Sequence, residues 1–247
     1  MSLTRKIAVV TGGGSGIGRA ICLQMASDGA AVSVWDLNEA GAKETVAMIT
    51  AAGGRAIACA GDAALADAIA ASVARTHNEL GPITVLVNNA GITDFRRFED
   101  ITEALLDRML RINVKGPFLC AQAIIPDMLE AGWGRIINIS SSSAQTGAPM
   151  MTHYGTSKGA VIAFTKTLAR EYADKGITVN NIPPGFIDTP MLRASPVDVD
   201  AQAAANSPMK RVGKPEDIAA ACSYLASEAA GYVTGHTLSV NGGRVMY

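Results

Sequence analysis

Tyr154 and Lys158 stand four residues apart in the stretch HYGTSK. On a helix, that spacing puts both side chains on one face. A phenol ordinarily keeps its proton to about pH 10. A neighbouring ammonium favours the phenolate and lowers that value. A tyrosine so placed can give a proton to, or take one from, an oxygen whose carbon is gaining or losing a hydride. A surface tyrosine–lysine pair has the same spacing, so the pair needs support from elsewhere in the chain.

That support begins upstream. Four consecutive serines, residues 140–143, close the run IINISSSS, and Ser141 lies 13 residues before Tyr154. A strand end and the following helix start can converge on one crevice across that distance. A hydroxyl there can bond a substrate oxygen and stabilise its developing charge. Any of the four serines fits this role, and the others can satisfy loop backbone. Asn113, in RINVKGPF, stands where a helical segment begins or bends. Its amide can order a water that links Lys158 to solvent, although a buried, satisfied asparagine would look the same.

These residues need a scaffold that brings strand ends together. Runs rich in β-branched residues lie at 7–11, 31–36, 56–60, 85–88, 135–139, 178–182 and 237–240. Most are apolar on both faces, as strands of a helix-covered parallel sheet must be. Alanine-rich segments of helical length separate them, among them 16–28, 39–52, 64–79 and 159–174. The alternation predicts an α/β, doubly wound sheet with right-handed crossovers. The proline-rich stretch IPPGFIDTPMLRASP, residues 182–196, interrupts it late. It reads as a loop excursion over the sheet edge, within one domain spanning 1–247, and such excursions usually carry binding residues.

The first strand runs directly into TGGGSGIG, residues 11–18, which opens the first helix segment. Glycines permit a tight turn and close backbone approach. The helix N-terminus supplies free N–H groups for a pyrophosphate. Asp36 closes the second strand 18 residues past Gly18, where a carboxylate would accept hydrogen bonds from adenosine ribose hydroxyls. A helix N-cap would also favour aspartate. The carboxylate would repel a 2′-phosphate, and neither Ser15 nor Leu37 supplies a compensating cation. NAD is therefore expected over NADP. The sequences GD at 61–62 and NNAG at 88–91 lie at further strand ends.

Net charge is −1, with 17% charged and 49% hydrophobic residues. That is a globular balance without a basic excess for nucleic acid or a membrane surface. The four cysteines lack metal or disulfide spacing and read as buried thiols. No metal site is expected. The N-terminal apolar run is too short for a signal peptide or a spanning helix, so a soluble cytoplasmic protein is expected.

Taken together, Thr11-Gly12-x-x-x-Gly16-Ile17-Gly18, Asn88-Asn89-Ala90-Gly91, Asn113, Ser141, Tyr154-x-x-x-Lys158 and Pro184-Gly185 resemble the short-chain dehydrogenase/reductase family, from residue 6 to about 243. NNAGIT, PGFIDT and VTGHTLSVNGG look like β-ketoacyl-acyl carrier protein reductases and nearby alcohol and hydroxyacyl-CoA dehydrogenases. The resemblance implies a Rossmann-type fold with seven parallel strands, helices on both faces, and a catalytic set Asn113, Ser141, Tyr154 and Lys158. It implies cofactor contacts from Gly12, Ser15, Gly16, Ile17, Gly18, Asp36 and Leu37. It places Asp62 and Ala63 at the adenine and Asn89, Ala90 and Gly91 on the adenosine side. Pro184, Gly185, Ile187 and Thr189 would meet the nicotinamide end, and Tyr154 and Lys158 its ribose. A homotetramer is implied, with the apolar 159–174 helix at an interface. Pro183 departs from the pattern by making a double proline, and Asp36 departs from NADPH-adapted reductases.

Thr93, Phe95, Gln145, Met150 and Met151 are expected to face the substrate, with His153, Phe186, Met191 and Leu192. This set is largely apolar, with adaptable methionines. The leading expectation is an NAD-dependent dehydrogenase of apolar secondary alcohols. The alternative is a 3-oxoacyl-carrier reductase or 3-hydroxyacyl-CoA dehydrogenase, with Arg96 and Arg97 meeting a phosphate at the rim. A dinucleotide-binding protein without turnover is the third.

Overall fold

The structure, a computed structural model, describes residues 1–246. Strands and helices alternate as β1 (Ile7–Thr11), α1 (Gly16–Ser27), β2 (Ala31–Asp36), α2 (Glu39–Ala51), β3 (Arg55–Ala60), α3 (Ala66–Glu79) and β4 (Val85–Asn88). The second half contains α4 (Glu103–Leu110), α5 (Gly116–Ala131), β5 (Gly134–Ile139), α6 (Ser143–Thr146), α7 (Thr152–Tyr172) and β6 (Ile177–Ile182). Then come α8 (Pro190–Arg193), α9 (Val199–Asn206) and α10 (Pro215–Ala226).

All strand pairs are parallel, in the order β3-β2-β1-β4-β5-β6. The order reverses between β1 and β4, which opens a crevice at their carboxyl ends. Side chains alternate across β1: Ala8 and Val10 pack with α1 and α10, whereas Val9 packs on the other face with α5. Each fully buried Val or Ile contributes about 1.5–3 kcal/mol, so two filled faces hold the strand ends rigidly.

The expected seventh strand is corrected. The sheet has six strands, and 237–240 meets β6 and its extension only through isolated bridges at Asn181–Thr237 and Pro184–Val240. Asn181 N donates to His236 O at 2.9 Å, Leu238 N to Asn181 O at 2.8 Å, and Gly185 N to Val240 O at 3.3 Å. The next N–H in that ladder would come from Pro183, which has none.

α7 starts seven residues before the expected 159, so Tyr154 and Lys158 both lie in its first two turns. The excursion after β6 contains α8 and α9. Thr189 caps α8 by accepting from Leu192 N, and Asp198 caps α9 by accepting from Ala201 N. Among the described residues, no helix is long and apolar enough to cross a membrane, and no cluster of potential metal ligands is present. All four cysteines are free and buried.

Candidate active site

The glycine turn is built for a close approach. Gly12 and Gly16 have φ of 66° and 51°, a region costly for other residues. A Cβ on Gly18 would fall onto Gly12 O and stand 2.6 Å from Asn89 Nδ2. Ser15 is the N-cap of α1 but makes no side-chain cap bond, and the first turn carries no acidic residue. The N–H groups there remain available to an anion.

Asp36 Oδ2 accepts from Gly14 N and Oδ1 from Asn38 N, both at 2.8 Å. The carboxylate therefore ties β2 to the turn and keeps lone pairs for two ribose hydroxyls. The cap of α2 is Asn38, which accepts from Gly41 N at 3.2 Å. Leu37 beside it is exposed. Arg19, not singled out in the sequence, donates from Nη2 to Gly14 O and pairs with Glu44 at 2.6 Å. Its charge is thus already matched.

Thr11 links the turn to the fourth strand. Its Oγ1 accepts from Asn89 N and Ala90 N, both at 3.0 Å. Asn89 Nδ2 donates to Thr11 O at 2.9 Å and Gly12 O at 3.2 Å. At the next strand end, Asp62 accepts from Arg111 Nη1 at 2.8 Å and Ala64 N at 2.9 Å. Burial pushes its carboxyl up, but these donors outweigh it and hold Asp62 below the ordinary range. Ala63 turns its carbonyl toward Gly116 and Cys120.

Asn113 sits in a π-helical turn, Arg111–Lys115, between α4 and α5. Such turns expose backbone groups and concentrate at functional sites. Asn113 Oδ1 accepts from Ile92 N at 2.9 Å, and Nδ2 donates to Ile92 O and Ser157 Oγ, each at 3.0 Å. A Cβ on Gly91 would stand 3.1 Å from Asn113 Oδ1 and 3.2 Å from Lys158 Nζ. Only glycine leaves that space open.

Lys158 Nζ donates to Ile139 O at 2.9 Å and lies 5.9 Å from the Tyr154 ring centre. Burial pulls the lysine down from 10.5 to about 8. Burial also raises the Tyr154 phenol, while the Ser141 hydroxyl works against it. The expectation that the lysine makes this phenol acidic is therefore not met in the protein alone. Ser141 Oγ bonds Ser143 Oγ at 2.7 Å, so these two hydroxyls share a side. Ser142 turns away, with its Oγ 3.5 Å from Arg244 Nη1. Within the serine run, the hydroxyl facing Tyr154 is that of Ser141.

Pro184 O accepts from Ser142 N at 3.0 Å, joining the excursion to the serine loop. A Cβ on Gly185 would stand 2.9 Å from Asn241 O. Ile187 sends its side chain into the core, leaving only its main chain for a ligand. Thr189 Cγ2 would stand 3.4 Å from a Cβ on Gly16, so the excursion closes over the glycine turn. Arg96 and Arg97 are exposed and pair with Asp94 and Glu99. The glycine cradle, free helix donors and Asp36 fit a dinucleotide.

The family model described as Enoyl-(Acyl carrier protein) reductase matches residues 12–244. "Nodulation protein G" of Azospirillum brasilense is 44% identical over 242 residues, covering 98% of each chain. "Acetoacetyl-CoA reductase" of Cupriavidus necator is 40% identical over 242 residues, again covering 98% of each. A crystal structure of a proposed short-chain alcohol dehydrogenase from Sinorhizobium meliloti 1021 superposes with TM-score 0.93 at 37% identity, covering 98% of this chain and 97% of that one.

Proposed function

Because the chain belongs to the short-chain dehydrogenase/reductase family, we propose that it is an NAD(H)-linked enzyme that interconverts 3-oxoacyl and 3-hydroxyacyl thioesters. The observation that carries the substrate class is the full-length likeness to a relative named acetoacetyl-CoA reductase, at 40% identity. It gives this reading more support than the apolar alcohol expected first from the substrate-facing residues.

The nicotinamide cofactor supplies or accepts the hydride. Gly12, Ser15, Gly16, Ile17 and Gly18 seat its pyrophosphate, and Asp36 bonds the adenosine ribose. Asp62, Ala63, Asn89, Ala90 and Gly91 line the adenosine half, and Pro184, Gly185, Thr189 and the Ile187 main chain border the nicotinamide. In reduction, Tyr154 Oη donates its proton to the substrate oxygen as negative charge develops there. Ser141 Oγ donates a second hydrogen bond to the same oxygen. In oxidation, the Tyr154 phenolate takes the hydroxyl proton. Lys158, held by Ile139 O and titrating at about 8, exchanges protons readily near neutral pH. Asn113 anchors the backbone at Ile92, next to Gly91, through bonds to both its N–H and its carbonyl.

NAD preference rests on Asp36 and on Glu44, which neutralises Arg19. A second reading, an apolar secondary alcohol substrate, is favoured by Met150 and Met191, both about half exposed near the cleft. A homotetramer would cover exposed Phe118 on α5, whose ring centre lies 5.6 Å from the tilted ring of Phe164 on α7. Initial rates with NADH and NADPH against acetoacetyl-CoA, a cyclic ketone and an aryl ketone test the proposal. Acetoacetyl-CoA with NADH should give the highest kcat/KM, and Arg96→Gln/Arg97→Gln should weaken only the CoA substrate. A clear preference for the simple ketones refutes the thioester reading, and a clear preference for NADPH refutes the reading of Asp36.

A further inference from the structure

His153 immediately precedes Tyr154 in the first turn of α7, and its side chain is only 1% exposed. Neither ring nitrogen has a hydrogen-bond partner among the described residues. The nearest carboxylate oxygen, Asp94 Oδ2, stands 3.9 Å from Nε2, beyond hydrogen-bond reach. Asp94 is engaged elsewhere: Oδ2 accepts from Arg96 Nε at 3.1 Å and Oδ1 from Phe95 N at 2.9 Å. Thr93 Oγ1, on the same loop, is buried and unpartnered, as is Gln145 Oε1 on α6, four residues past Ser141. By contrast, Asn113, Ser141, Ser157 and Lys158 all hold partners.

A buried polar atom without a partner costs about 1–3 kcal/mol, and folded proteins keep few of them. Three such side chains lie on the loop after β4, on α6 and on α7. A neutral imidazole carries one N–H donor and one bare nitrogen acceptor, and a threonine hydroxyl can act either way. The groups therefore suit an oxygen function, not an apolar chain. The loop above His153 is clasped to the α6–α7 connection by the bond from Arg96 N to Met150 O at 2.8 Å. Met150 itself is held at φ 61°, which is strained for a bulky side chain.

We propose that His153 is a specificity-determining residue that hydrogen-bonds a second oxygen of the substrate, two carbons from the reacting carbonyl, with Thr93 and Gln145 completing the subsite. The inference rests on the thioester reading above and names the group that recognises it: the thioester carbonyl.

The test compares two substrates with NADH: the acetoacetyl thioester of N-acetylcysteamine, and 2-pentanone, which keeps the reacting ketone but lacks the second carbonyl. A site built around a hydrogen bond discriminates steeply against the analogue that cannot make it. His153→Leu is expected to lower kcat/KM at least about tenfold for the thioester and less than about threefold for 2-pentanone. His153→Gln, which restores a donor, should recover most of the loss. Titration of the thioester into Tyr154→Phe and Tyr154→Phe/His153→Leu should show the same loss as weaker affinity, independent of turnover. Equal losses for both substrates, or no loss for either, overturn the inference and leave the thioester reading standing. Wild-type protein that prefers 2-pentanone overturns that reading, and the inference with it. Should His153→Leu fail to fold, Thr93→Val carries the same comparison: a selective loss on the thioester supports the subsite, and a uniform loss or none overturns it.

Discussion

Replacing Lys158 by methionine should change how stability depends on pH. Lys158 is buried, and its amine falls from 10.5 to about 8 on folding. At about 1.4 kcal/mol per decade, holding it protonated in the fold costs about 3 kcal/mol. The folded-state value is depressed, so the penalty is complete below pH 8. There the lysine is charged in both folded and unfolded chains. As pH rises through 8, the folded lysine loses its proton first and the penalty shrinks, vanishing above 10.5. Lys158→Met has no such group and nearly the same length. Its lost bond to Ile139 O shifts the difference between the proteins by a constant, not its slope. Urea unfolding of both proteins at pH 7 and pH 10 is the assay. The wild type should gain about 2–3 kcal/mol relative to the variant between those two conditions. A difference between the proteins that stays constant within about 0.5 kcal/mol would refute the burial argument for this amine.

Other positions give sharper local outcomes. Gly18→Ala drives a methyl onto Gly12 O and should cost about 1–3 kcal/mol of stability as well as weakening NADH binding, read by melting and by fluorescence titration. Asp36→Asn removes one charge from the ribose site, so NADH should bind about tenfold or more weakly while NADPH gains relative to it, read as the ratio of the two kcat/KM values. Alcohol oxidation needs the Tyr154 phenolate, and burial raises that phenol above its usual range. Its kcat/KM should therefore climb with pH beyond neutrality, while ketone reduction, which needs the protonated phenol, should not.

Much of the strand–turn–helix frame around the glycines was legible because it is local in the chain. A buried strand, a glycine turn and a helix follow one another within residues 7–27, and Asp36 ends the very next strand. What pairs across distance was not legible. Arg111 meets Asp62 from 49 residues away, and nothing near either residue announces the pair. Residues 237–240 alternate like a strand, but their ladder depends on a donor that Pro183 lacks. The start of α7 was hidden because its first two turns bury His153, Ser157 and Lys158 against the site, not apolar residues against the core. Four identical serines carry no register of their own. The bond between Ser141 and Ser143, with Ser142 facing Arg244, distinguishes them only in three dimensions.

Tyr154 moves the proton, while most of the hold on the dinucleotide comes from the glycine turn and Asp36. Steady-state turnover of Tyr154→Phe, beside its NADH affinity by fluorescence titration, tests this most directly. Turnover should fall about 100- to 10,000-fold, with NADH affinity unchanged within about threefold. Turnover within about tenfold of wild type would contradict it and pass the proton-transfer role to another group.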